Sequence, residues 1–217
     1  MKKELLFTWM LFISCIAYAQ DFIHATYLVG NSLKDVEKVK QIDYSQFQYI
    51  YLMAAPQWSQ EDFGQPQENI IKHLVSDHQY AKDQGIEIVP LLIEEAHKNK
   101  TKVLLSFAGA GFNEIVSSIE KQKKFIDMMI RFIDKYNYDG IEIDWEQDLS
   151  LPLHAEFISN IRLKLDDLEK KRNDSKHLYL TTALHSWQVY HKELANKLAS
   201  NVDWINIMTY DMGGGIW

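Results

Sequence analysis

The sequence predicts an α/β fold built on a parallel sheet, and three observations carry that prediction. Short runs rich in β-branched and aromatic residues alternate with longer segments of helical period, the pattern of strand–helix–strand units. Six such runs occur along the chain. The 217 residues are 47% apolar, enough to build the core of one medium domain and to exclude wholesale disorder. Periodicity alone leaves two architectures open, a doubly wound sheet and part of an eight-stranded barrel.

The elements follow in order. Lys2 and Lys3 precede an uncharged stretch from Leu5 to Gln20, and Ala17-Tyr18-Ala19 fits the small-x-small rule for signal-peptidase cleavage. Residues 1–19 are therefore read as a signal peptide and 20–217 as one domain, exported to the medium, the periplasm or the cell surface. The apolar stretch is short for a spanning helix, so no stable membrane span is expected. A retained anchor, or a lipoprotein anchored at Cys15 after a lipobox-like Phe12-Ile13-Ser14, ranks below ordinary cleavage.

Strands are predicted at Phe22–Val29, Tyr49–Ala54, Val103–Phe107, Gly140–Trp145, Leu178–Ala183 and Trp204–Met208. Helical segments lie at Ile88–Lys98, Lys123–Lys135, Pro152–Lys171 and His191–Ala199. In the third of these, Phe157, Ile161, Leu165 and Leu168 form one apolar stripe, and Pro152 suits a first helical turn, where its missing N–H has no partner to lose. The charged residues from Asp166 to Arg172 read as a solvated face. The stretch from Pro56 to Glu68 reads as a long loop.

Composition excludes several functions. Thirty acidic residues against twenty-three basic give a net charge of −7, opposite to what a phosphate-binding surface needs, so no nucleic acid is expected. A single cysteine rules out a disulfide scaffold and a thiolate metal cluster. Gly109-Ala110-Gly111 follows a strand, yet a dinucleotide loop would place Glu114 against the pyrophosphate. There is no P-loop, no GxSxG elbow and no HExxH, and most of the histidines read as surface residues. No cofactor and no metal are expected.

The informative stretch is Asp139-Gly140-Ile141-Glu142-Ile143-Asp144-Trp145-Glu146. Alternate strand residues share a face, so Glu142, Asp144 and Glu146 point one way while Ile141, Ile143 and Trp145 point the other. Three carboxylates in file resist burial as ions, and a neighbouring pair that shares a proton raises one carboxyl's pKa. A carboxylic acid that is still protonated near neutrality is what glycosidic cleavage needs for its leaving group. A wet acidic strand face or a divalent-cation site are the alternatives that the residues leave open.

DGIEIDWE resembles the DGxxxDxE signature of family 18 glycoside hydrolases, the chitinases and endo-β-N-acetylglucosaminidases. Met208-Thr209-Tyr210-Asp211 is similar to that family's MxYD on the sixth strand, and Ser106-Phe107-Ala108-Gly109 to its SxGG on the third. The resemblance spans about Phe22 to Trp217. It implies a (β/α)8 barrel with the active site at the C-terminal ends of the strands. It implies that Glu146 is the general acid and that Asp144 orients the substrate's N-acetyl group, which attacks C1 itself. Glu142 and Asp139 complete the carboxylate group, and Tyr210 donates to the acetamide. Met208 and Asp211 line the same subsite, Ser106 and Tyr27 bond the inner carboxyl, and Trp217 contacts a sugar.

The partner so implied is an oligosaccharide or polysaccharide of N-acetylglucosamine, with chitin, peptidoglycan and N-glycan cores all open. A carbohydrate-binding relative without turnover is the alternative from another class. Only about six of eight strand–helix units are legible before the chain reaches Trp217, so an incomplete barrel is expected, with activity of this chain in question.

Overall fold

The computed structural model describes residues 22–29, 36–53, 80–81, 86–108 and 112–210. Six parallel strands form the main sheet, in the spatial order β1 (Ala25–Val29), β2 (Tyr49–Met53), β5 (Lys102–Ala108), β6 (Gly140–Asp144), β7 (Tyr179–His185) and β8 (Trp204–Met208). Each strand pairs with its successor and the order never reverses. A doubly wound sheet starts in the middle and turns back, so this winding belongs to a barrel.

The sheet is also curled. Asn206 on β8 donates to the Tyr27 hydroxyl on β1 at 3.1 Å, and the Trp204 indole donates to the Tyr51 hydroxyl at 2.7 Å. In a flat sheet β1 and β8 would lie about 24 Å apart across five strand spacings. Their side chains meet because the sheet is rolled into a half-barrel, six strands of a (β/α)8-type fold.

Period-two alternation sorts the two faces. Ile50, Leu52, Val103, Leu105, Phe107, Ile141, Ile143, Leu180 and Leu184 are buried and point outward. They pack beneath α2 (Ile88–Lys98), α4 (Ile119–Tyr136) and α5 (Leu151–Arg172), whose Leu92, Phe125, Met129, Phe157 and Ile161 complete the core. The inner face is polar and aromatic. At its floor Tyr49, Tyr179 and Trp204 meet edge to face or tilted, with ring centroids 4.6–5.7 Å apart.

All six predicted strands and all four predicted helices are present. The second helix starts earlier than its apolar period, at Ile119, because Ser118 caps it by accepting from the Lys121 N–H. Asn137 and Asn173 end α4 and α5 in the left-handed conformation, at φ 57° and 50°. Sequence reading missed α1 (Val36–Gln41), a 3₁₀ turn at Tyr44–Gln46, α3 (Phe112–Val116), and the antiparallel pair of β3 (Tyr80–Ala81) with β4 (Ile86–Glu87). Each is too short to show a period. α6 (Lys192–Ala199) is the last helix among the described residues. The charged end of α5 is not simply solvated: Asp166 and Glu169 hold the largely buried Arg162 at 2.6 and 2.8 Å. The leader, the loop from Pro56 to Glu68, Asp211 and Trp217 lie outside the described residues.

Candidate active site

β6 begins at Gly140 because no side chain fits there. A Cβ at this position would sit 2.1 Å from the Tyr179 carbonyl oxygen on β7, so glycine lets the two strands pair. One residue earlier, Asp139 accepts from the Val103 N–H at 2.8 Å and meets His97 Nε2 at 2.7 Å and Lys102 Nζ at 3.3 Å. Burial alone would raise its carboxyl, but these partners outweigh burial and hold it below the usual range. Asp139 thus ties α2, β5 and β6 together at the floor. Five residues of strand, about 16 Å, separate it from Asp144. The structure does not bring Asp139 to the other carboxylates, and its role there is structural.

Glu142 is fully buried on the inner face. Its Oε1 accepts from the Tyr27 hydroxyl at 2.6 Å and from Asn206 Nδ2 at 2.7 Å. In register beside it stand Ser106 on β5 and Thr181 on β7. Ser106 faces the same carboxylate without reaching hydrogen-bonding geometry. Burial raises the Glu142 carboxyl, and the hydrogen bonds from Tyr27 and Asn206 draw it partly back. Tyr27 therefore takes the predicted role, and Asn206 shares it.

Asp144 ends the strand with 6% of its surface exposed. Burial, then the charges of Glu146 and Glu142, push its carboxyl from 3.8 up to about 7. Among the described residues four buried side-chain atoms have no hydrogen-bond partner: Ser106 Oγ, Glu142 Oε2, Asp144 Oδ1 and Thr181 Oγ1. All four lie on the inner face of three adjacent strands. Polar atoms left unpaired inside a protein are costly, and their gathering in one place marks a site built for something other than stability.

Glu146 lies two residues beyond the strand and is half exposed, with His185 Nε2 at 3.6 Å from its Oε2. Its segment is anchored from outside the sheet. Trp145 is buried, donates to the Gln147 carbonyl at 2.7 Å and stacks on Phe112. Behind it His154 is fully buried and hydrogen-bonded to Tyr190 and to Thr182, whose hydroxyl donates to the Ile143 carbonyl at 2.8 Å. Burial lowers the His154 pKa to about 4, so the ring is neutral at physiological pH.

Most of the histidines are expected at the surface, and His154 is an exception, buried by packing that is non-local. Met208 is buried and pairs in register with His185, while Tyr210 is exposed just beyond β8. Asn206 was legible in principle, since it sits one strand period before Met208. His185, Trp187 and Thr181 carried no motif.

A buried carboxyl that titrates near neutrality beside a half-exposed one gives two groups of different task. The inner one can hold a polar substrate group by hydrogen bonding, and the outer one can exchange a proton with a bound ligand. Among the described residues no group of three His, Cys, Asp or Glu side chains is placed to hold a metal ion, and no helix is long and apolar enough to cross a membrane.

The family model described as glycosyl hydrolases family 18 matches residues 57–217 of the chain. Chitinase A1 of Niallia circulans is 35% identical over 117 residues, 48% of this chain and 16% of that protein. A chitinase from Bacteroides thetaiotaomicron superposes with a TM-score of 0.60 at 22% identity, over 88% of this chain and 55% of the other. The class V chitinase of Nicotiana tobaccum, a point mutant in complex with NAG4, superposes at 0.63 and 20% identity, over 87% and 52%. The chain spans little more than half of these proteins, or less.

Proposed function

We propose that this chain, which belongs to glycosyl hydrolases family 18, acts as a retaining hydrolase of β-1,4-linked N-acetylglucosamine polymers of the chitin type. The observation that carries the proposal is Asp144, nearly buried between Glu142 and the half-exposed Glu146, with its carboxyl poised at about 7. The relatives named as chitinases support that substrate class, as does the tetrasaccharide bound in the Nicotiana protein.

In this reading Glu146 gives its proton to the glycosidic oxygen, and the leaving sugar departs with it. The substrate's acetamide oxygen attacks C1 as that bond breaks, forming an oxazolinium ion. Asp144 accepts a hydrogen bond from the acetamide N–H and faces the new positive charge. The proton Asp144 held before passes to Glu142, whose own carboxyl burial already raises. Water then attacks C1 on the face the leaving group vacated, and Glu146, now a carboxylate, takes its proton. Two inversions give retention, and Glu146 is ready to act again. Tyr210, exposed at the strand ends, donates to the acetamide.

The test is hydrolysis of chitotetraose followed by proton NMR. The expected result is β-anomer product first, with fully deacetylated glucosamine oligomers left uncut. Binding without new reducing ends would favour a lectin-like protein, and rapid cleavage of glucosamine oligomers would require a nucleophile on the enzyme. We also propose export, which rests on the uncharged run from Leu5 to Gln20 and on Ala17-Tyr18-Ala19. N-terminal sequencing of the protein recovered outside the cytoplasm should begin at Gln20.

A further inference from the structure

Beyond the end of β7 the chain places a tryptophan where packing does not need one. Trp187 is 58% exposed, yet its ring lies nearly parallel to that of His185, with centroids 4.1 Å apart and planes at 10°. A turn closed by the Gln188 N–H donating to the His185 carbonyl, at 3.1 Å, folds the indole back onto the imidazole. His185 in turn sits with Nε2 3.6 Å from Glu146 Oε2. Indole, imidazole and carboxyl thus form one continuous file from the rim to the acid.

Single exposed apolar residues are ordinary on protein surfaces and need no explanation. Ile119, Leu163 and Val189 are of that kind here. Trp187 differs in being held in one orientation by a polar ring that itself touches the acid. A flat aromatic face kept open to water and fixed in place suits the apolar C–H face of a pyranose.

We propose that Trp187, backed by His185, is the stacking platform for the N-acetylglucosamine unit on the leaving-group side of the scissile bond. The proposal rests on the glycosidase reading above. Asp144 lies on the buried side of Glu146, and the His185–Trp187 pair lies on its rim side. A sugar whose acetamide is seated at Asp144 presents its glycosidic oxygen to Glu146. The next unit, across that bond, then passes toward the indole. Stacking with a C–H face is tolerant of substituents, so the platform holds the ring without reading its acetamide. His185 is here a positioning residue that sets the height and tilt of the indole.

The test uses the chain with Glu146→Gln, which blocks turnover, and calorimetric binding of chitotetraose. Adding Trp187→Ala should weaken Kd about tenfold, in line with one aromatic contact, and Trp187→Phe should restore most of it. With Glu146 intact, Trp187→Ala should raise KM and also divert product from added chitobiose acceptor to water, because the acceptor sits on the same platform. The melting midpoint should barely move, since the ring is exposed. An unchanged Kd in a chain that binds and cleaves chitotetraose would overturn the platform and leave the glycosidase reading standing. Weakened binding with an unchanged share of transfer would place the platform on the other side of the bond and overturn the assignment. A chain that neither binds nor cleaves chitotetraose would overturn both.

Discussion

Replacing Asp144 by asparagine should stabilise the protein while it abolishes turnover, and the gain should depend on pH. Asp144 is 6% exposed, and its carboxyl is raised from 3.8 to about 7 by burial and by the charges of Glu146 and Glu142. Each pKa unit is worth about 1.4 kcal/mol, so ionising this group in the folded protein costs about 4 kcal/mol more than in the unfolded chain. The sign follows from which state holds the proton. Between about pH 4 and pH 7 the folded state binds it more tightly than the unfolded state, so stability falls as pH rises through that window. Below pH ~4 both states are protonated, and the group costs nothing.

The Asp144→Asn side chain carries no charge at any pH and so escapes the loss. Its new N–H groups need acceptors, and Glu142 Oε2 on the same face of the strand has no partner. Allowing for imperfect geometry, the expected gain is about 2–4 kcal/mol at pH ~8, shrinking toward zero at pH ~4. Urea unfolding of both proteins at about pH 4.5, 6 and 8 measures it, because shared titrations cancel in the difference. A gap that does not change with pH would refute the reasoning, as would an Asp144→Asn protein less stable than the parent at pH ~8.

Gly140→Ala should cost about 3 kcal/mol or more, since a Cβ 2.1 Å from the Tyr179 carbonyl oxygen forces β6 and β7 apart; a urea midpoint near the parent's would contradict this. Tyr27→Phe removes one of two donors to Glu142 Oε1 and should cost about 1.5–3 kcal/mol, with the loss growing as rising pH ionises Glu142. Parallel stability curves against pH would show that Tyr27 does not support the charged form. Glu146→Gln should lower kcat by at least ~10²-fold with KM little changed, because the amide keeps the shape and loses the proton. Near-normal turnover on chitotetraose would remove Glu146 from the role of acid.

Much of this protein is written in its local sequence. Strands and long helices show as periods of two and 3.6, so α2 was legible from end to end at Ile88–Lys98. The stripe of Phe157, Ile161, Leu165 and Leu168 is buried as its spacing requires. The alternation in DGIEIDWE likewise places Glu142 and Asp144 on the inner face, and the physics of crowded carboxylates leads to a raised pKa without any coordinates. What the sequence could not determine is everything that depends on which strands become neighbours.

Winding direction is one such thing, because alternation is the same in a barrel and in a doubly wound sheet. The strand order and the contact between Tyr27 and Asn206, 179 residues apart, decide it. Asp139 is another. It belongs to the same eight-residue motif as Glu146, yet strand length carries it to the opposite end of the sheet, where His97 and Lys102 claim it. His154 looks like any surface histidine until α5 packs it against Thr182 and Tyr190. Periodicity is a property of one segment and is readable from that segment. Burial, pairing and electrostatic environment are properties of residues distant in the chain, and only the folded arrangement brings their atoms close enough to act on one another.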